Sequence, residues 1–352
     1  MQSPLWLDVH APTLEELPQP ELRRYLSKVE SGPINLVLHG PAGAGKTAAA
    51  RALASAVHDD PENAFVELNV ADFFDRTKQE LRKDPRFAPF LTGEIGWVKQ
   101  VAKDRRGDLS KRYKSQWSKA EMINHVLKES ASTAPPAGGF RTILLDNAEA
   151  AREDFQQALR RTMERYHGAT QFVITTRQPS KLIAPITSRC FPVPVRAPTT
   201  DETVTVLRTV LEREDVPFDD AGLAFVAHHA DGDLRAALLD AQTVAETTGE
   251  LTRDAAFEVL REVGPDEQVV SLVRAATEGE FVEARKALDG LLVDEGFTGA
   301  EVLQSVVRVA RSRELVDPAA LAVLAGEVDA DLTAGTSDRL HLSRLLAELG
   351  TW

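Results

Sequence analysis

At 352 residues, 43% hydrophobic and 27% charged, the chain has the balance of a globular protein and is too long for one ordinary domain, so two or three are expected. It has no apolar run long enough to span a bilayer, no basic segment leading into an apolar core, and one cysteine, Cys190; neither a membrane helix nor a secretory leader is expected, an internal disulfide is excluded, and a cytoplasmic protein fits. The net charge of −13 excludes a generally basic surface, so any contact with DNA has to be local; the lysine-poor, arginine-based cations suit a salt-in halophile and a GC-rich genome alike.

In chain order, the first predicted strand is Ile34–His39, an apolar run that ends in a Gly-rich turn. An alanine-rich helix follows over Thr47–Val57. Phe65–Asn69, Arg141–Asp146 and Gln171–Thr176 are predicted as further strands, with a helix over Glu153–Tyr166 between the last two. Such alternation predicts an α/β fold, a parallel sheet covered by helices. Residues 76–118 break the pattern, being polar, mixed in charge and poor in periodic apolar positions, and read as an inserted mobile segment. Residues 130–139, with Pro135-Pro136 and Gly138-Gly139, read as a loop. After Pro198 the strand signals fade. Residues 199–260 read as short amphipathic helices with turns at Val216-Pro217 and Gly232, and residues 263–352 as further helices with loops at 296–299 and near Gly335. The division expected is a sheet domain over 1–195, a small helical domain over 196–260 and a terminal helical domain over 261–352.

Gly40-Pro41-Ala42-Gly43-Ala44-Gly45-Lys46-Thr47 fits the phosphate-loop pattern GxxxxGK(S/T), with the strand before it and the helix after it that the motif requires. The glycines let backbone N–H groups turn inward at a helix N-terminus, forming an anion nest. Lys46 is expected to reach the β and γ phosphates and the Thr47 hydroxyl to hold Mg²⁺. Asp146, at the end of an apolar strand, is the expected second holder of Mg²⁺, in the manner of a Walker B aspartate. Many P-loop ATPases carry a glutamate next, to polarise the attacking water. Asn147 stands there instead, and an amide orients water but is no general base near neutral pH. Glu149 offers a carboxylate two residues on, but the chain is expected to be leaving the strand there and not to substitute. Cys190 is expected to be a small buried filler, and no histidine pairing or cysteine spacing of metal-site type occurs.

Several segments together resemble one family. Asp154–Glu164, DFQQALRRTME, is similar to the QQALRRTME segment of replication factor C small subunits, AAA+ sliding-clamp loaders. Ser180–Ile183 and Pro185–Cys190 resemble the family's SKIIEPIQSRC, Gly232–Arg235 its GDMR, and Leu68–Asp72 its LNASD. Leu14 and Gln19–Tyr25 resemble its N-terminal helix region. The similarity is strongest over about 34–72 and 140–245 and continues more weakly to roughly 310.

The resemblance, to an archaeal small subunit of divergent haloarchaeal type, implies an AAA+ P-loop sheet domain, a helical lid and an all-α collar for oligomerisation. It implies a protein that uses ATP and Mg²⁺ to load the ring-shaped polymerase clamp onto primed DNA. The partners implied are a clamp-loader large subunit and other small subunits in a pentameric hetero-oligomer, the sliding clamp, and primer-template DNA held by its backbone phosphates. Arg189 would be an arginine finger acting on a neighbour's ATP, and Arg235 a sensor reading the γ-phosphate of the chain's own ATP. Arg51, Arg160 and Arg161 are candidate DNA contacts, the last two equally intersubunit ones.

The chain departs from the family at four places. Asn147 replaces a glutamate, Arg177 falls where the sensor 1 asparagine belongs, His10-Ala11-Pro12 stands for tyrosine-arginine-proline, and the insertion at 76–118 is extra. The first two remove groups that handle the water or the γ-phosphate. One reading is therefore an ATP-driven clamp-loader subunit, and a second a ring member that binds ATP without turning it over. A third is another AAA+ remodelling ATPase, and a remote fourth a P-loop metabolic kinase, which would leave the Ser-Arg-Cys segment unexplained.

Overall fold

Among the described residues, five parallel strands form one sheet: β1 (Leu36–His39), β2 (Phe65–Asn69), β3 (Arg141–Asp146), β4 (Thr170–Thr176) and β5 (Phe191–Pro194), in the order β2-β3-β4-β1-β5. The structure is a computed structural model that describes residues 4–29, 32–84, 118–132, 139–263, 266–294, 296–312, 316–335 and 337–351. Strands β3 and β4 are buried nearly throughout because helices cover both faces of the sheet, which is why each carries three successive apolar residues, Ile143–Leu145 and Phe172–Ile174. On one face Leu145, Ile143, Phe172 and Ile174 pack against Met122, Val126 and Leu127 of helix Lys119–Ser132 and against Phe155, Leu159 and Met163 of helix Glu153–Tyr166. The last three recur every fourth residue, one stripe of a helix. On the other face Leu36, Leu38, Leu144 and Val173 meet Ala49, Ala50 and Leu53 of helix Lys46–Val57 and Leu22 and Leu26 of helix Pro20–Leu26. Each large side chain buried this way contributes about 1.5–3 kcal/mol.

Strand β5 is a departure from the predicted elements. Its sequence, Phe-Pro-Val-Pro, argues against a strand, since proline cannot donate to a ladder. It is tolerated because β5 is the sheet's edge. Phe191 and Val195 donate to the carbonyls of Asn35 and His39, each at 2.8 Å, and the prolines alternate with these donors at positions facing away from β1. A second departure is helix Lys78–Lys83, inside the expected insertion. Thr77 and Glu80 close a capping box over it, and Arg76 and Asp84 pair across it at 2.7 Å. Residues 85–117 of the expected insertion and 133–138 of the expected loop lie outside the described residues.

The chain forms two units, Met1–Arg253 and Asp254–Trp352. In the first, the sheet is followed by helices Thr200–Arg213, Asp220–His229 and Leu234–Thr248, capped by Thr199, Asp219 and Asp233. The N-terminal segment is fastened to these helices: Trp6 N–H donates to Gln242 Oε1 at 2.9 Å, Gln242 Nε2 donates to the Pro4 carbonyl at 3.1 Å, and His10 meets Glu214. The second unit is helical, and Val269, Leu272, Val273, Leu288, Val306, Leu324, Leu342 and Leu345 belong to its core. Among the described residues no helix is long and apolar enough to cross a membrane.

Candidate nucleotide-binding site

The phosphate loop begins where β1 ends. His39 is in register with Thr176, and Gly40 N–H donates to the Thr176 carbonyl at 3.2 Å, which fixes the loop at the C-terminal edge of the sheet. Gly45 has φ +91° and caps helix Lys46–Val57, a conformation that favours glycine and turns the first amides of the helix toward the loop. Pro41 and Ala42 are exposed at the tip, while Ala44 is buried in the core. Lys46 folds back over the loop, its Nζ donating to the carbonyls of Gly40 (2.9 Å) and Pro41 (2.5 Å). Burial holds the Lys46 ammonium below the usual lysine range, Glu149 and Asp146 oppose that shift, and the Arg177 charge adds to it.

Thr47 donates its hydroxyl to Asp146 Oδ1 at 2.9 Å, and Thr175 of β4 donates to the same oxygen. This hydroxyl and carboxylate at the mouth of the loop are hard oxygen donors, the set that suits Mg²⁺. Asn147 is left-handed, φ 56° and ψ 47°; its N–H donates to Thr175 Oγ1 at 3.2 Å and its amide lies 3.5 Å from Asp146 Oδ2. The left-handed residue reverses the chain into a short 3-10 turn, Ala148–Ala150. The chain has thereby left the strand before it reaches Glu149. Its side chain, only 9% exposed, turns back to the end of β4 and accepts from Arg177 Nε at 2.8 Å and Arg177 N–H at 3.2 Å. Burial pushes the Glu149 carboxyl up, but the bonds from Arg177 and neighbouring groups outweigh it and hold the group below the usual carboxylate range.

The helices after the sheet reach the loop at one point. Leu234 N–H donates to the Gly43 carbonyl at 3.1 Å, which brings the first turn of helix Leu234–Thr248 against the loop. Arg235 lies in that turn, exposed and without a partner among the described residues. Gln19, 1% exposed, ties the same region together from below, its Nε2 donating to the carbonyls of Ala44 (3.0 Å) and Arg196 (2.9 Å). Neither Gln19 nor Thr175 was singled out by the sequence as a site residue, since a lone glutamine or threonine carries no pattern.

Arg189 is not brought to this site. It precedes β5, whose first residue pairs with Leu36 at the start of β1, so it lies at the opposite edge of the sheet from the loop. There it donates to Glu164 Oε1 at 2.6 Å and to the Pro185 carbonyl at 2.7 Å, and the same glutamate oxygen accepts from Arg160 Nε at 3.0 Å. Arg161 is exposed, and Arg51 makes two bonds of 2.8 Å to Glu67. Cys190 is buried, which pushes its thiol up to about 12 and leaves it inert as a nucleophile.

Two family profiles match the chain: the AAA ATPase domain over residues 19–174 and the replication factor C C-terminal domain over residues 264–348. A replication factor C small subunit of Methanococcus maripaludis is 30% identical over 99% of this chain and 99% of its own length. That of Haloarcula marismortui is 28% identical over 98% of this chain and 94% of its own, and that of Archaeoglobus fulgidus 29% identical over 99% and 97%. Among solved structures, a variant of RuvB from Thermotoga maritima superposes with a TM-score of 0.51 at 14% identity, over 76% of this chain and 78% of that one, a likeness of fold alone.

Proposed function

The chain belongs to the replication factor C small-subunit family, and from that premise we propose that it is an ATP-binding subunit of a cytoplasmic sliding-clamp loader. The observation that carries this reading is a relationship running the whole length of both chains, together with a phosphate loop that the following helices touch through Gly43 and Leu234. The residues from Gly40 to Thr47 wrap the phosphates with backbone N–H groups at the start of helix Lys46–Val57. Lys46 exchanges the carbonyls of Gly40 and Pro41 for phosphate oxygens. Thr47 and Asp146 hold Mg²⁺, which when bound neutralises phosphate charge. Arg235, in the turn bonded to the loop, reads the γ-phosphate and passes its presence to the lid helices. Arg189 serves a neighbouring subunit's site, a role its distance from its own loop supports.

In this reading the chain assembles with a large subunit and other small subunits, through the helical second unit among other surfaces. The ring grips the sliding clamp and primer-template DNA. Its overall charge of −13 confines DNA contact to local cations such as Arg160 and Arg161, acting on backbone phosphates and weakened by salt. A second reading, a subunit that binds ATP without hydrolysing it, is favoured by Asn147, which orients water but accepts no proton. The test of membership is affinity purification of the tagged chain from its own host, with partners identified by mass spectrometry. Recovery of a clamp-loader large subunit, a second small subunit and the clamp is expected. Recovery of the chain alone, or with unrelated proteins, would overturn the clamp-loader reading.

A further inference from the structure

Residues 195–199 join β5 to helix Thr200–Arg213, and they are pinned on two sides. A Cβ added to Gly40, the first residue of the phosphate loop, would lie 1.8 Å from the Val195 carbonyl oxygen, so the joint begins in direct contact with the loop. The carbonyl of the next residue, Arg196, accepts from Gln19 Nε2 at 2.9 Å, and the same nitrogen donates to the Ala44 carbonyl of the loop at 3.0 Å. On the other side, a Cβ added to Gly232, in the turn before helix Leu234–Thr248, would stand 3.0 Å from Ala197 Cβ. The joint thus touches both surfaces that meet where Leu234 N–H donates to the Gly43 carbonyl.

The Arg196 guanidinium spans this joint. Its Nη1 and Nη2 each donate to one oxygen of Glu202 at 2.7 Å, a forked bond, and its Nε lies 2.5 Å from Glu21 Oε1. Glu21 belongs to helix Pro20–Leu26, whose Leu22 and Leu26 pack on the sheet. Glu202 belongs to the first turn of helix Thr200–Arg213, where it closes a capping box with Thr199. The bond from Arg196 is the main influence holding the Glu202 carboxyl below the usual carboxylate range. One ion pair on a surface this exposed would contribute little, but a planar fork shared between carboxylates on two separately packed helices fixes how those helices lie to each other. The far end of helix Thr200–Arg213 is also tied to the N-terminal segment, by Arg213 with Glu16 and Glu214 with His10, and Arg196 works at the end beside the loop.

We propose that Arg196 is a positioning residue for nucleotide binding: it clasps Glu21 on the sheet to Glu202 on the lid helices and so holds the lid contact at Gly43 closed before a nucleotide arrives. Its bearing on affinity rests on the nucleotide-binding reading above, whereas the clasp is tested without nucleotide. Hydrogen exchange of the full chain, followed by NMR at single amides, reads it. The Leu234 amide has its acceptor on the phosphate loop, and the Ala237 amide has its acceptor, the Asp233 carbonyl at 3.0 Å, at the start of its own helix. Arg196→Gln is expected to speed exchange at Leu234 roughly three- to tenfold and leave Ala237 unchanged, because a contact opens without unfolding the helix. Glu21→Gln leaves the Glu202 capping box intact; it is expected to act in the same direction, and to add nothing in the Arg196→Gln background. Both variants are expected to bind a slowly hydrolysed ATP analogue with Mg²⁺ roughly two- to fivefold more weakly, since part of the population has to close the lid first. An Arg196 that only stabilises the fold would protect Leu234 and Ala237 alike; faster exchange at both, or unchanged exchange at Leu234 in Arg196→Gln, overturns the clasp. Faster exchange at Leu234 with unchanged affinity overturns the positioning role. Wild-type chain that does not bind the analogue overturns the nucleotide-site reading itself and leaves the exchange result standing.

Discussion

Gly43 and Asp233 stand so close that a Cβ on the glycine would lie 1.9 Å from the aspartate Oδ1. Gly43 also has φ +65°, and Asp233 is held in place because it caps helix Leu234–Thr248, accepting from Ala236 N–H at 2.9 Å. The phosphate loop and the helices that follow the sheet therefore meet at a point with no spare volume. Gly43→Ala is expected to cost roughly 1–3 kcal/mol, from overpacking and the left-handed backbone together, and to weaken nucleotide binding by pushing the helix off the loop. Asp233→Ala alone is expected to cost about 1 kcal/mol as a lost cap. Combined, the two should cost less than their sum, because the second removes the obstacle the first collides with. Chemical unfolding of both single variants and the double variant measures this. Strict additivity would mean that the contact does not strain the loop.

Asp146 shares one oxygen between Thr47 and Thr175, so its charge is aimed at the mouth of the loop and its position is set by two hydroxyls. If Thr47 and Asp146 hold Mg²⁺, removing the ion and removing the charge act on the same term. Asp146→Asn is expected to lower triphosphate affinity in Mg²⁺ by roughly 10–100-fold. In excess chelator the variant and the wild type should bind alike. A variant equally impaired with and without Mg²⁺ would show that Asp146 matters for structure only. Binding titrations in both buffers decide between the two.

The strands that build the site were legible because β1, β3 and β4 are buried by helices on both sides, which writes three successive apolar residues into each, Leu36–Leu38, Ile143–Leu145 and Phe172–Ile174. The phosphate loop was legible because its glycines and Lys46-Thr47 carry fixed chemistry. Strand β5 was hidden by Pro192 and Pro194, whose missing donors matter only if the partner lies on both sides, and lateral position is not written in a four-residue stretch. Helix Lys78–Lys83 was hidden by its polarity, although Thr77 and Glu80 spell a capping box. The turn of Glu149 back to Arg177 depends on one left-handed residue, Asn147, and on a partner 28 positions away. Asparagine permits that conformation without announcing it.

Asn147 is a test of whether the position serves backbone or chemistry. Left-handed backbone at φ 56° costs a residue with a Cβ roughly 1–2 kcal/mol, a cost that asparagine partly offsets and glycine avoids. Asn147→Gly is therefore expected to leave thermal stability unchanged or slightly raised, and Asn147→Ala to lower it by about 1 kcal/mol. Asn147→Glu is expected to bear a similar penalty and, if the missing carboxylate limits turnover, to raise the chain's own rate of ATP hydrolysis. Thermal melts and a phosphate-release assay on the same samples separate the two effects. A stable Asn147→Ala variant would mean that the backbone is not strained there.

Arg189 and Lys46 sit at opposite edges of one sheet, so a single chain cannot bring them to the same nucleotide. Glu164 holds Arg189 at 2.6 Å on a half-exposed surface, where solvent screens such a pair and it contributes little to stability. Arg189→Ala is accordingly expected to leave both the melting temperature and the nucleotide affinity of the isolated chain unchanged. In the assembled complex it is expected to slow the neighbour's site by roughly a thousandfold, as loss of a finger supplied in trans does. Lys46→Ala should behave oppositely, abolishing nucleotide binding in the isolated chain while leaving unchanged whatever Arg189 does at the neighbour's site. Turnover measured in complexes carrying either variant in this subunit alone distinguishes them. An isolated Arg189→Ala chain with weakened nucleotide binding would contradict the sheet geometry and return Arg189 to its own site.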